Sequence, residues 1–193
     1  MNGPELVGSL CRIRPLQEGD AEARWDLVND GESRQMISGV EGTSFDQVRE
    51  WCKTAADRKD RYEWAVTALD SDEYLGEVQL VKVDHADRKA RLRLAMRQAY
   101  RGRGYAVDFV PLVLDYAFAP EPHGLGLHRI YTAMLSGDAR VHSVFVAIGF
   151  TFEGRLRQTH WDGDRWLDTL LSSLLAEEWA ELRRDQTRNV DEE

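Results

Sequence analysis

Between Ala90 and Phe118 the hydrophobic period changes from that of a strand to that of a helix across one glycine-bearing bend, and this change limits what the chain can fold into. Ala90, Leu92, Leu94 and Met96 alternate with Arg91, Arg93, Ala95 and Arg97, the period-two pattern of a strand with one buried face. Arg101-Gly102-Arg103-Gly104 ends the alternation. Val107, Val110, Leu114, Ala117 and Phe118 then recur at helical spacing, flanked by Phe109, Val113 and Tyr116, which predicts a long, largely buried helix. Pro111 within it predicts a kink or a lost hydrogen bond. A strand end, a turn and a helix start in succession gather unpaired N–H groups and the positive end of a helix dipole at one bend, which suits a phosphate. Glycines let the backbone approach such a ligand closely. The spacing is not the dinucleotide fingerprint, because Val107 stands where its third glycine would be, nor a P-loop, because no Gly-Lys-Ser/Thr follows.

Charge sharpens the reading of this segment. The chain carries a net charge of −9, yet Arg88, Lys89, Arg91, Arg93, Arg97, Arg101 and Arg103 fall together without one Asp or Glu between them. Such a run is either a solvated basic strand face or a site for a polyanion. Joined to the glycine turn, the second reading describes a pyrophosphate with a further phosphate nearby, as in coenzyme A. The overall negative charge argues against general affinity for nucleic acid. No stretch approaches the roughly 18–20 apolar residues that span a bilayer, and Met1 to Arg14 lacks the apolar run of a secretory signal. Cys11 and Cys52 match no metal or redox spacing. A cytoplasmic protein without a metal, a membrane or a nucleic-acid partner is expected.

The remaining segments alternate in kind. Ser9 to Arg14 reads as a short strand closed by Pro15, and Glu18 to Asn29 as a helix through Ala21, Trp25 and Val28. Asp30 to Gly42 is a loop. Ser44 and Gln47 form a capping box for a second helix reaching about Asp57. Tyr62 to Leu69 and Tyr74 to Val83 make a hairpin, with Trp64, Val66 and Ala68 on one face. After the loop Ala119 to Gly126, a strand from His128 to Leu135 precedes a helix from Asp138 to Ile148, stopped by Gly149. Strands at Phe150 to Trp161 and Arg165 to Leu175 flank the turn Asp162-Gly163-Asp164. Glu177 to Arg184 reads as a last helix, so residues 1–184 form one domain and 185–193 a disordered tail. One sheet covered by helices satisfies this order.

Several motifs, in order, resemble the GNAT superfamily of N-acetyltransferases, above all its branch of ribosomal-protein N-terminal acetyltransferases and related small-molecule enzymes. Tyr100-Arg101-Gly102-Arg103-Gly104-Tyr105-Ala106 is similar to that branch's coenzyme-binding signature. Leu114-Asp115-Tyr116-Ala117-Phe118, Gly126-Leu127-His128-Arg129-Ile130, Ala147-Ile148-Gly149-Phe150, Glu153-Gly154-Arg155-Leu156-Arg157, Asp162-Gly163 and Trp166-Leu167-Asp168 follow the family pattern from about Ser9 to Trp179. The resemblance implies a mixed α/β acyltransferase fold with a mostly antiparallel sheet, a central splay and flanking helices. It implies acetyl-CoA, or another acyl-CoA, as co-substrate, and an amine acceptor that is a small molecule or a protein N-terminus. Met96 and Arg97 would hold the pantetheine arm, and the N–H groups from Arg101 through Gly102, Arg103, Gly104 and Tyr105 to Ala106 the pyrophosphate. Association through the last strands, common in the family, would give a homodimer.

Three positions depart from the family. Asp138 replaces the Asn that contacts the cofactor, Val141 a Ser that can protonate the leaving thiolate, and Phe145, at a cofactor-contacting position, a Tyr that serves the same end in other branches. His142 and Ser143 are turned away from position 141 by about 100° or more on a helix. The attacking amine must still lose a proton. Glu77 is the first candidate base, sharing a strand face with Gln79 and Val81, and Gln79 would face the acceptor; Asp84 and His85 come second. Glu77 reads equally as an exposed strand carboxylate or as the ion-pair partner of Arg91 or Arg93. His160 and Trp161 either line the acceptor mouth or are exposed aromatics on a turn. The altered helix start also admits a non-acetyl donor or a carrier-protein thioester, and the missing acids a non-catalytic module that binds coenzyme A.

Overall fold

The computed structural model describes residues 3–30, 43–137 and 139–191. Among these it has eight strands: β1 (Leu6–Val7), β2 (Cys11–Pro15), β3 (Arg61–Ala68), β4 (Tyr74–Asp84), β5 (Lys89–Met96), β6 (Arg129–Leu135), β7 (Thr151–Trp161) and β8 (Trp166–Leu175). The α-helices are α1 (Ala21–Asn29), α2 (Phe45–Lys53), α3 (Tyr105–Phe118), α4 (Ala139–Ile148) and α5 (Ala176–Asp191). Two compact units divide the chain, Met1–Val83 with Arg91–Val113, and Asp84–Ala90 with Leu114–Glu193.

In the first unit the strands follow the order β1-β2-β3-β4-β5. The pairs β1–β2, β2–β3 and β3–β4 are antiparallel, with Trp64 opposite Val78 and Glu63 opposite Gln79. Period two makes one face apolar: Tyr62, Trp64 and Val66 on β3, Val78 and Leu80 on β4 and Leu92 on β5 are all buried. The other face carries Arg61 and Glu63 on β3, Glu77 and Gln79 on β4, and Arg91 and Arg93 on β5. A shift in register between Val66 and Thr67 places Thr67 opposite Tyr74 and leaves Leu75 as the extra residue. That bulge turns Tyr74 onto the charged face, where α1 and α2 supply Leu27, Val28, Val48 and Cys52 to a core shared with Ala65, Tyr74 and Ala95.

The expected capping box is present: Ser44 Oγ accepts from Gln47 N–H, and Gln47 Oε1 accepts from Ser44 N–H. The helix stops at Lys53, and a separate 3-10 turn covers Ala55–Asp57, where one helix to Asp57 was expected. Pro111 lies inside α3, where its missing N–H forfeits the bond to Val107 C=O.

The second unit orders its strands β6-β8-β7, antiparallel throughout. Gly149 stops α4 with φ of +113°, and a Cβ there would lie 2.4 Å from Leu182 Cδ1. Helix α5 runs to Asp191 rather than ending near Arg184, so residues 185–191 are helical where a disordered tail was expected. Its polar composition hid the helix. Glu178 caps it by accepting from Leu175 N–H, and Arg183 and Trp179 both donate to Asp115. The loop expected at Asp30 to Gly42 lies outside the described residues from 31 on, as does the expected N-cap Asp138.

Gly76 marks the closest backbone approach in the first unit, since a Cβ there would lie 2.3 Å from Ala95 O and 2.9 Å from Met96 Cα. Neither backbone atom can yield as a side-chain tip would. Gly76→Ala should therefore lose about 2 kcal/mol, read as a lower urea midpoint, and an unchanged midpoint would contradict this packing.

Candidate active site

Strand β5 ends at Met96, and Arg97 N–H donates to Leu75 O at 2.9 Å while its Nη1 donates to Tyr74 O at 3.2 Å. One 3-10 turn, Gln98–Tyr100, follows, and Arg101 N–H returns to Gln98 O. Gly102 and Gly104 then adopt φ of +71° and +85°, a region that costs any residue with a Cβ. A Cβ on Gly102 would have no atom within 4 Å, and one on Gly104 only Leu10 Cδ1 at 3.7 Å. The glycines are thus required by backbone angle, and the space before the turn is open. Helix α3 starts at Tyr105, so its first amides have no partner within the helix. Arg101–Ala106 therefore has the shape, the donors and the room that a diphosphate needs.

Asp108 anchors this helix start. Its carboxylate accepts from the N–H groups of Ser9, Leu10 and Cys11 at 2.9, 3.0 and 3.2 Å. Burial works to raise its pKa, but hydrogen bonds from Leu10, Ser9 and Cys11 outweigh burial and hold it below the usual carboxylate range.

The basic run is not one polyanion site. Lys89 pairs with Asp87 and Asp84. Arg101 donates through Nε to Met96 O and pairs with Asp30, so its guanidinium braces the turn from behind. Arg97 lies 4.0 Å from Asp26. Arg103 is exposed, its guanidinium 5.7 Å from the ring centre of Tyr100. Arg91 and Arg93 belong to the charged face of the sheet, since the Arg93 charge interacts with Arg91, Glu77, Arg61 and Glu63. A run contiguous in sequence is divided among different acidic and backbone partners that the fold brings beside it.

Glu77 is not an exposed carboxylate, and the guanidinium that is hydrogen-bonded to it is that of Arg24. It and Arg24 of α1 are each 2% exposed, and Arg24 Nε donates to Glu77 Oε2 at 2.7 Å. Tyr74 Oη donates to the same oxygen at 3.1 Å, and Gln79 Nε2 to Oε1 at 2.9 Å. Gln79 is thus buried and bound to Glu77. Burial works to discharge Arg24, but the charge and hydrogen bond of Glu77 overcome it and hold the guanidinium above its ordinary pKa. Tyr74 is raised well above the ordinary phenol value by burial and then by the Glu77 charge. The neighbouring Glu63 accepts from Trp51 Nε1 at 3.1 Å and from Arg58 Nη1 at 3.0 Å. Burial, then the Glu77 charge, pushes the Glu63 carboxyl above its usual range, against Arg24, Trp51 and Arg58. Arg58, Arg61 and Arg24 lie over the Trp51 ring at 3.7, 5.2 and 5.5 Å from its centre. Glu63, Arg24 and Trp51 escaped the sequence reading. The polar alternation Arg61-x-Glu63 on β3 was the available signal.

His85 is exposed in the turn after β4. In the second unit Phe145 is buried and packs edge-on to Phe150 with ring centres 5.0 Å apart. Trp161 is exposed and lies 5.5 Å from Trp166. A groove of about 1180 Å³ runs along the β7–β8 hairpin, lined in part by Ser136, Arg157, Arg165, Trp166 and Asp168. Asp168 accepts from Gln158 N–H at 2.7 Å and pairs with Arg155. Asp138 lies outside the described residues.

A family model described as the acetyltransferase (GNAT) domain matches residues 11–151, and the chain belongs to that family. Its activity is acetyl-CoA-dependent N-acetylation of an amine. The chain is 24% identical over 163 residues to a spermidine N(1)-acetyltransferase of Vibrio cholerae, covering 84% of this chain and 91% of the relative. It is 25% identical over 178 residues to the probable N-acetyltransferase YjcK of Bacillus subtilis, covering 88% and 96%. The fold is that of the Vibrio cholerae spermidine N-acetyltransferase crystallised with CoA and spermine, with TM-score 0.78 and 22% identity over 89% of this chain and 99% of the other.

The Arg24–Glu77 pair sets a stability test. Glu77→Ala leaves a buried guanidinium uncompensated and should cost about 3–5 kcal/mol, whereas Arg24→Met with Glu77→Leu should recover most of it. Chemical denaturation of both variants checks this; an equal loss in the double variant would show that the pair is not the cause.

Proposed function

We propose that this protein moves the acetyl group of acetyl-CoA to the primary amine of a small molecule, and that the turn Arg101–Ala106 holds the diphosphate. The observation that carries the reading is this turn, with two left-handed glycines, open space at the position of their absent side chains and a helix start immediately after them. The small-molecule acceptor is supported by the relative named for spermidine, nearly all of whose length the chain covers. Backbone groups at Met96 and Arg97 would hold the pantetheine arm.

The transfer is direct. The amine lone pair attacks the thioester carbon, the C–S bond breaks, and coenzyme A leaves as its thiolate, while the amine proton passes to water. An enzyme thiol does not intervene, because Cys11 and Cys52 are buried. Burial and then Asp108 push the Cys11 thiol to about 12, and burial, against Arg24, pushes Cys52 to about 12. Much of the rate would come from holding amine and thioester together. Glu77, saturated by its donors, acts by position. Two buried unpaired thiols accord with a reducing cytoplasm.

Thiol release from acetyl-CoA with a panel of primary amines tests the reading. Release should be saturable, and Gly104→Val should weaken coenzyme A binding in calorimetry roughly tenfold or more, since a left-handed β-branched residue costs about 1–2 kcal/mol. Binding without release for any amine would leave only a coenzyme A-binding module.

We also infer that two copies associate along β7. This strand is at the edge of its sheet and exposed along most of its length, with Phe152, Leu156 and Trp161 uncovered, and such edges are commonly paired. Light scattering should give twice the 22.1 kDa chain mass. Leu156→Arg should return it to one, and a monomeric wild type would refute the association.

A further inference from the structure

The glycine turn has little stiffness of its own. Gly102 and Gly104 both stand at left-handed angles, and the positions of their absent side chains are open. Glycine has more backbone freedom than any other residue, so the shape of Arg101–Ala106 depends on what holds its two ends. The strand end is fixed by Arg97 N–H on Leu75 O and by Arg101 Nε on Met96 O, with the Arg101 guanidinium paired to Asp30. The helix end is fixed by Asp108, in the first turn of α3.

An acid in the first turn of a helix commonly meets that helix's own amides and dipole, where it would compete with an anionic ligand. Asp108 instead gives both oxygens to the chain that joins β1 to β2. Oδ1 accepts from Ser9 N–H at 2.9 Å, and Oδ2 from Leu10 N–H and Cys11 N–H at 3.0 and 3.2 Å. The Cys11 thiol also donates to Oδ2, at 3.5 Å. That chain is itself anchored. Gly8 N–H donates to Cys11 O at 2.8 Å, and the buried Cys11 opens the ladder of β2 with β3, opposite Ala68. Gly8 is not among the left-handed glycines, yet a Cβ on it would lie 2.2 Å from Asp108 Oδ2 and 2.8 Å from its Cγ. Four residues, from Gly8 to Cys11, are thus shaped around one carboxylate, and the carboxylate leaves the start of its own helix to another anion.

We propose that Asp108 is a positioning residue for the donor: by holding the start of α3 against Ser9–Cys11 it fixes the angle at which the glycine turn meets the diphosphate of acyl-CoA. The proposal rests on the reading of Arg101–Ala106 given above and adds a residue that acts through the turn rather than on the reacting atoms. Donors already in place lose less on binding than donors that must be ordered, so the effect falls on affinity for the diphosphate and not on the chemical step.

Thiol release from acetyl-CoA is compared with release from S-acetylpantetheine, which has the same thioester arm without the diphosphate, using the most active amine of the panel above. The wild type should prefer acetyl-CoA. Asp108→Asn should lower kcat/KM for acetyl-CoA roughly tenfold, the scale of fixing the backbone of one residue, chiefly through KM, and leave acetylpantetheine unchanged. Calorimetry with coenzyme A should read the same loss without catalysis. Gly8→Ala, which displaces the carboxylate from the opposite side, should reproduce this pattern, and it serves alone should Asp108→Asn fail to fold. The two changes together should cost no more than Asp108→Asn. Equal losses on both thioesters would show a general loosening of the fold and overturn the proposal, as would unchanged acetyl-CoA kinetics in both variants. A wild type indifferent to the diphosphate would instead overturn the reading of the turn beneath it.

Discussion

A buried ion pair dictates the arrangement of the first unit. Arg24 and Glu77 have both left water, and each is tolerable there only because the other is present. Their 2.7 Å contact therefore fixes α1 against β4, and the bulge beside Leu75 brings Tyr74 round to complete the coordination of the carboxylate. The same stretch of β4 accepts two hydrogen bonds from Arg97, through Leu75 O and Tyr74 O. The ion pair and the glycine turn are thus two ends of one short, rigid segment. A turn that must offer its amides in a fixed direction gains from such a support, because preorganised donors lose less on binding.

The parts of the fold set by local chemistry were legible in the residues. The alternation from Ala90 to Met96, the bend at Gly102 and Gly104 and the capping box at Ser44 each follow from forces within a few residues of chain, and each is where the sequence places it. What depends on distant partners was not. Glu77 could be singled out from its strand face, but its role turned on Arg24, fifty-three residues away, and a carboxylate met by three donors is a different object from one facing solvent. The run of basic residues misled for the same reason. Its continuity is a property of the chain, whereas its charges meet acids such as Asp30, Glu63 and Glu77 that stand apart from it in sequence. The last helix was cut short because residues 185–189 are all polar, so that this stretch has no hydrophobic stripe to report it.

What the GNAT family shares and what its members vary need not be written in the same residues. The turn and the strand before it make their demands on backbone angle and on open space. Relatives at about a quarter identity can therefore keep the fold and the donor while differing in the acceptor.

Asp108 ties the segment Ser9–Cys11 to the helix start beside the glycine bend. Three consecutive amides, from Ser9 to Cys11, are gathered by one carboxylate in the first turn of α3, and a Cβ on Gly8 would fall 2.2 Å from that same carboxylate. The amino-terminal segment is in this sense a guy-rope for the ligand turn. Loss of that one carboxylate would free three consecutive amides at once and loosen the start of α3 beside Gly102 and Gly104.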